Sequence, residues 1–168
     1  MRRVWQADWP RERGRGGEPH VQALAEDDDV RQRVLAYVTR ERDCAKELLV
    51  FDHRDDPSAG TQVPAGRLDP GETLEQCLLR ELDEEAGIVD AVVVRELPPP
   101  GRPSRYENHA FEVRTPGRES ADTWEHVVHG DGDDAGLVFR YRWERVRPDL
   151  LLFNRVDPTL EELSEAMS

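Results

Sequence analysis

The sequence predicts an α/β (α+β) domain with a mixed central sheet and helices on its faces. Three observations carry this. Short β-branched and aromatic blocks recur along the chain, separated by clusters of Gly, Pro and Asp, the punctuation expected of strands and turns. Only two segments carry helix start and stop signals. The chain has 168 residues, 37% hydrophobic and 35% charged, which suits one domain with a modest core and a heavily charged surface.

Taken in order, residues 1–29 read as an N-terminal extension, with Trp5 and Trp9 among Arg, Gly and Pro and an acidic run at Glu26–Asp29. The domain is expected over 30–168. Val34–Val38 and Leu48–Phe51 are short strand-forming runs, the second closed by the turn-rich HRDDPSAG. Gln62–Gly71 reads as a loop. Thr73–Ala86 reads as a helix: Thr73 and Gln76 make a capping-box pattern and Gly87 stops it. Ile88–Leu97 is strand-like, Pro98–Pro103 a rigid linker, Tyr106–Arg114 and Thr123–Val128 further strands, and His129–Gly136 a Gly/Asp loop. Leu137–Val146 alternates, with Phe139, Tyr141 and Trp143 on one face and Arg140, Arg142 and Glu144 on the other. Asp157–Met167 is a short helix with Asp157 as N-cap and Pro158 at its first position.

Net charge is −13. Such a surface repels phosphate backbones and argues against nucleic-acid partners. A small phosphorylated substrate is still allowed, because a bound divalent cation reverses the field locally. Cys44 and Cys77 are too few for a disulfide framework. No apolar stretch has the length of a signal-peptide core or a membrane span, so no membrane partner and a cytoplasmic location are expected.

The informative stretch is GRLDPGETLEQCLLRELDEEAGI. At about 100° per residue, Leu74, Cys77 and Leu78 share one arc of the helix. Glu81, Glu84 and Glu85 continue that arc at i, i+3 and i+4, where their carboxylates face one another. Like charges on an inward arc are destabilising. Either the helix end leans outward and solvates its carboxylates, or a hard divalent cation resolves the conflict, Mg²⁺ being the usual choice and Mn²⁺ the alternative.

Gly66, Glu72, Arg80, Glu81, Leu82, Glu84, Glu85, Gly87 and Ile88 fill every specified position of the Nudix box at the right spacing, and Gln62-Val63-Pro64-Ala65 and Pro70-Gly71 fit as well. The chain therefore resembles the Nudix hydrolases over roughly Val30–Met167, and the resemblance implies an α/β/α sandwich. It also implies a metal held by Gly66, Glu81, Glu84 and Glu85, with Glu72 and Gly87 supporting the box and Arg80 orienting a glutamate. The implied reaction is Mg²⁺-dependent hydrolysis of the diphosphate in a nucleoside diphosphate linked to another moiety. The alternative is a Nudix fold serving as a non-catalytic ligand sensor.

The general base is open between Glu84, Glu85 and a residue outside the box. Downstream candidates are Glu107, Glu112, Glu125, Glu144, Asp131, Asp133, Asp134, His126 and His129, with Glu125 favoured because it opens into the Gly/Asp loop. Arg102 and Arg105 are candidates to clamp substrate phosphates. Trp124, Trp143 and Tyr106 are candidates to stack on a base, with a core role favoured for Trp143. Many Nudix relatives are dimers, and the arm carrying Trp5 and Trp9 is a candidate homodimer contact.

Overall fold

The computed structural model describes residues 31–101, 105–117 and 121–165. Trp5 and Trp9 of the expected extension, Arg102 and the expected end of the C-terminal helix at Met167 lie outside the described residues. The elements run β1 (Arg31–Arg42), β2 (Ala45–His53), β3 (Ala65–Arg67), α1 (Leu74–Ala86), β4 (Val92–Leu97), β5 (Tyr106–Arg114), β6 (Thr123–Val127), β7 (Val138–Arg145), β8 (Leu151–Leu152), β9 (Arg155–Val156) and α2 (Thr159–Glu165).

Seven strands form one mixed sheet in the order β4-β5-β1-β2-β7-β6, with β3 paired to β1. Only the β1–β5 pairing is parallel; β1–β2, β1–β3, β2–β7, β4–β5 and β6–β7 are antiparallel. β1 is buried on both faces. Val34, Ala36 and Val38 pack with Cys77, Leu78, Leu82 and Ala86 of α1. Leu35 and Tyr37 pack on the other face with Leu160 and Leu163 of α2. A strand covered on both sides loses its polar alternation and reads as one apolar run, which is how VLAYV reads. The result is the expected layered sandwich, helix over sheet over helix. No described helix is long and apolar enough to cross a membrane.

Three differences from the sequence reading have local causes. β1 and β2 are longer than their apolar runs because a tight hairpin joins them, with Asp43 and Cys44 at φ 50° and 60° and Arg42 facing Ala45. Within the expected Gln62–Gly71 loop, Ala65–Arg67 pairs with Arg33–Leu35 as β3. The segment is extended by its partner, not by its own Gly- and Pro-rich composition. The small β8–β9 hairpin turns on Phe153 and Asn154, at φ 53° and 61°. It lacks the Gly that usually announces such a turn.

On the α2 side of the sheet, Glu112 of β5 gathers a buried polar cluster. It accepts hydrogen bonds from Lys46 Nζ at 3.1 Å, Thr39 Oγ1 at 3.1 Å and Arg95 Nε at 2.8 Å. Arg95 Nη1 also reaches Glu162 Oε1 of α2 at 2.9 Å. Burial works to raise the Glu112 carboxyl, but Arg95, Lys46 and Thr39 outweigh it and hold it below the ordinary 4.5. Stability from this group is therefore in place above the unfolded value and is lost as pH falls through the lower, folded value. We expect Glu112→Gln to lose about 1–3 kcal/mol at pH 7, from weakened bonds to buried cations. Denaturant midpoints of the variant at pH 7 and below pH 4 should lie closer together than those of the parent chain. An unchanged gap between the two pH values would count against this role for Glu112.

Candidate functional site

The site is built where α1 crosses β3 and the β6–β7 loop. Thr73 starts α1 as expected: its side chain accepts from Gln76 N at 3.2 Å, and Gln76 Oε1 accepts from Thr73 N at 2.9 Å. Gly87, at φ 66° and ψ 31°, ends the helix in the left-handed conformation and donates to Asp83 O at 2.9 Å. Between these caps the helix presents Cys77, Leu78, Leu82, Glu85 and Ala86 to the sheet. The last acidic member of the arc is thus buried along with apolar ones.

Glu85 is 5% exposed. Its Oε2 accepts one hydrogen bond, from Ala65 N at 3.0 Å. Burial first, then the charges of Glu81 and Asp134, push its carboxyl well above the ordinary value against the pull of Ala65 N–H and Arg33. Glu81 is also raised, mainly by burial, with Glu84 and Glu72 adding and Arg80 opposing. A Cβ on Gly66 would overlap the Glu81 carboxylate, so the backbone of β3 and this side chain approach one another only because residue 66 is glycine.

Arg80 ties the cluster together. Its Nε and Nη2 bind Glu72 Oε1 and Oε2 at 2.8 and 2.9 Å, a bidentate pair. Its Nη1 reaches Glu81 Oε1 at 2.8 Å and Glu84 Oε2 at 3.3 Å, and Nη2 also donates to Arg67 O at 3.0 Å. Arg80 thus pairs with Glu84, four residues on, as one of the longer contacts of a hub. Glu72 is held below its ordinary value by Arg80 in the first place, against the effect of burial. Glu72 also accepts from Asp69 N at 3.0 Å, which closes the turn ahead of α1. Cys77 lies under this hub, its thiol 3.4 Å from Arg67 O. Burial, with Glu72 and Glu81 nearby, pushes the thiol up to about 12, so it stays protonated and unreactive.

The sheet side of the site comes from residues distant in sequence. Tyr141 OH donates to Glu85 O at 2.9 Å and Trp124 Nε1 to Ala86 O at 3.2 Å. His126 Nε2 and His129 N lie 3.0 and 3.1 Å from Glu84 O. These groups satisfy the carbonyls that the end of a helix leaves without partners, and they fix the backbone that carries Glu84 and Glu85. Trp124 stacks on Tyr141 with ring centroids 5.0 Å apart. It is a helix-end donor here, where the sequence suggested a base-stacking ring. Sequence reasoning missed this set, although period-two alternation places Trp124, His126, Phe139 and Tyr141 on one sheet face.

The remaining candidates divide. Trp143 takes the core position expected of it, with Arg40 over its ring at 4.3 Å and its Nε1 donating to Ala121 O at 2.8 Å. Glu112 is absorbed in the cluster on the α2 side of the sheet. Glu144 pairs with Arg142 at 2.8 Å, and Glu107 is exposed on β5. Glu125 is half exposed and pairs with Arg140 at 2.7 Å. Its neighbours Trp124 and His126 face α1, so strand alternation turns Glu125 to the opposite face. There it lines an open groove of about 380 Å³ with Asp52, Thr123, Arg140 and Arg142. The structure does not bring Glu125 to the box glutamates. What it brings there is the loop after β6: Gly130 against Glu84, Asp134 within electrostatic reach of Glu85, and Asp133 paired with Arg67 at 3.2 Å. Arg105 is exposed just before β5.

Among the described residues no three acidic, His or Cys side chains are placed so that together they could hold a metal ion. Arg80 Nη1 stands between Glu81 and Glu84, bonded to both. The donor set nevertheless fits a hard divalent cation. It is all oxygen, it includes a carboxylate 5% exposed with a single hydrogen-bond donor among the described residues, and two of its members are raised by burial and by neighbouring carboxylates.

Known structures share the fold. A structure of the Ap4A hydrolase of C. elegans superposes with a TM-score of 0.56 at 17% identity, over 83% of this chain and 99% of that one. A binary complex of a C. elegans Ap4A hydrolase gives 0.57 at 17% identity, over 82% and 98%. An ADP-ribose pyrophosphatase of Streptococcus suis gives 0.48 at 14% identity, over 82% and 90%. At these identities the likeness to the two C. elegans structures is one of fold. A comparison with curated proteins returns no significant match. The chain matches the NUDIX domain over residues 29–157, three quarters of its length and the whole of the site described above, and it belongs to that family.

Proposed function

We propose that the chain hydrolyses the diphosphate of a nucleoside diphosphate linked to another moiety, with Mg²⁺ as its cation. Family membership makes it a Nudix hydrolase acting on phosphoric anhydride bonds; the substrate class and the metal are our reading. The observation that supports it is Glu85: a carboxylate buried beside Glu81 with one hydrogen-bond donor is costly to ionise unless a cation shares the site.

In this reading Glu81, Glu84 and Glu85, with the Gly66 backbone, hold the cation. When bound, it neutralises charge on the diphosphate and activates water near neutral pH. The protein supplies position. Glu84, with 21% of its side chain exposed against 13% for Glu81, is the most accessible of the three. It takes the proton of the attacking water. Arg80 keeps Glu72, Glu81 and Glu84 in place through the bonds described above. The carbonyl clamps from Tyr141, Trp124 and His126 keep the helix end from fraying. Residues 30–168 form the catalytic unit, with 1–29 as an extension.

The test is a panel of nucleoside triphosphates, sugar nucleotides, ADP-ribose, NADH, dinucleoside polyphosphates and coenzyme A with Mg²⁺ or Mn²⁺. At least one should be cleaved at a phosphoric anhydride bond, and Glu84→Gln should slow that reaction about 100-fold or more. No turnover across the panel, with a ligand still bound, would identify a sensor instead.

A further inference from the structure

The loop between β6 and β7 is pinned at both ends by its own backbone. Val128 N donates to Leu137 O and Gly136 N to Val128 O, each at 2.8 Å. His129 N donates to Glu84 O at 3.1 Å, Ala135 N to Gly132 O at 3.2 Å and Leu137 N to Asp134 O at 3.0 Å. Within this frame Gly130 takes φ +98°, and a Cβ there would lie 2.6 Å from the Glu84 carboxyl carbon and 2.7 and 2.9 Å from its oxygens. Such distances are too short for a non-bonded contact of a carbon atom that makes no hydrogen bond. The loop backbone is held in place, so the group that has to move is the end of the Glu84 side chain.

We propose that Gly130 is a positioning residue for Glu84. It stands outside the glutamate helix and its preceding loop, and the space left by its missing side chain sets where the Glu84 carboxylate lies. Gly66 does the same for Glu81 from β3, so two glycines from different parts of the chain wall in two carboxylates of one helix. This inference rests on the reading of Glu84 as a cation ligand given above.

Gly136 provides an internal control. It lies in the same loop at φ +86°, and a Cβ there would meet nothing within 4 Å. Gly130→Ala and Gly136→Ala thus carry similar backbone strain, but only the first displaces Glu84. Gly130→Asn is a second variant, because Asn tolerates positive φ better than Ala while still carrying a Cβ.

Mn²⁺ binding, followed by the loss of the free-ion paramagnetic resonance signal, reads the position of Glu84 without turnover. Melting curves in chelator read the strain. We expect Gly130→Ala and Gly130→Asn to weaken Mn²⁺ binding about ten-fold or more, while Gly136→Ala stays within about two-fold at a comparable fall in Tm. In Glu84→Asp, whose side chain is one methylene shorter, adding Gly130→Ala should cost less than it does in the parent chain.

Wild-type Mn²⁺ affinity in both Gly130 variants overturns the proposal. So does equal weakening by Gly130→Ala and Gly136→Ala, or failure of the parent chain to bind Mn²⁺. If Mn²⁺ binding follows the expected pattern but the parent chain cleaves no compound of the panel, the hydrolase reading fails and the positioning role of Gly130 stands.

Discussion

Glu85→Gln should slow hydrolysis about 100-fold or more while leaving the metal-free protein as stable as its parent within a few degrees of Tm. The two halves of this expectation have one cause. Glu85 is 5% exposed, and its carboxyl is pushed well above the ordinary range by burial and by Glu81. The amide has the same shape and can still accept from Ala65 N. It removes a charge that the metal-free fold tolerates poorly, at the cost of introducing N–H groups that need partners. Reaction with a diphosphate, by contrast, needs that charge, because a carboxylate holds a hard cation far better than an amide does. Losing such a contribution amounts to several kcal/mol of transition-state stabilisation. Steady-state kinetics on the compound cleaved in the panel and melting curves in chelator measure the two halves separately. A rate near that of the parent chain would remove Glu85 from the metal site. A collapse of the metal-free fold would mean that its charge is structural.

Arg80→Lys should slow the reaction about 100-fold and destabilise the fold by about 1–3 kcal/mol, although charge is conserved. One guanidinium binds Glu72 with two nitrogens, reaches Glu81 and Glu84 with a third contact point, and donates to Arg67 O. These bonds push the Arg80 pKa far up, Glu72 contributing most. A lysine ammonium has no planar fork and cannot span from the loop carrying Glu72 to the carboxylates of α1. Glu81 and Glu84 then lose their shared partner, and their repulsion is relieved by side-chain movement away from the catalytic arrangement. Denaturant unfolding gives the stability change, and kcat against KM separates misplacement of the carboxylates from weaker substrate binding. A variant with the parent's kcat would reduce Arg80 to a surface ion pair.

Both predictions concern residues legible in the sequence, and the reason is locality. Thr73, Gln76 and Gly87 act within a few residues of themselves, so α1 has the expected ends. The arc holding Leu74, Cys77, Leu78, Glu81, Glu84 and Glu85 follows from helical periodicity alone, and the structure buries Cys77, Leu78 and Glu85 on it and leaves Leu74, Glu81 and Glu84 partly exposed. Tyr106–Arg114 forms a strand with those very ends, because its own alternation and β-forming side chains suffice. β3 had no such support. Its extended shape comes from pairing with β1, about thirty residues earlier, and a Gly- and Pro-rich stretch carries no local sign of it.

The sequence by itself determined the family, the helix and its caps, and the acidic arc, since spacing along one helix is set by covalent geometry and 3.6-residue periodicity. Tertiary structure decided everything that reaches this arc from elsewhere. The pairing of β6 with β7 turns Trp124 and His126 toward the end of α1 and Glu125 away from it, a choice that one residue of register would reverse. The same pairing holds Tyr141 under Glu85 and sets the β6–β7 loop, with Gly130, against Glu84. A strand's faces acquire an inside and an outside only when a partner covers one of them. For that reason the glutamates and Arg80 could be named from the chain alone, and the parts played by Tyr141, Trp124, His126 and Gly130 could not.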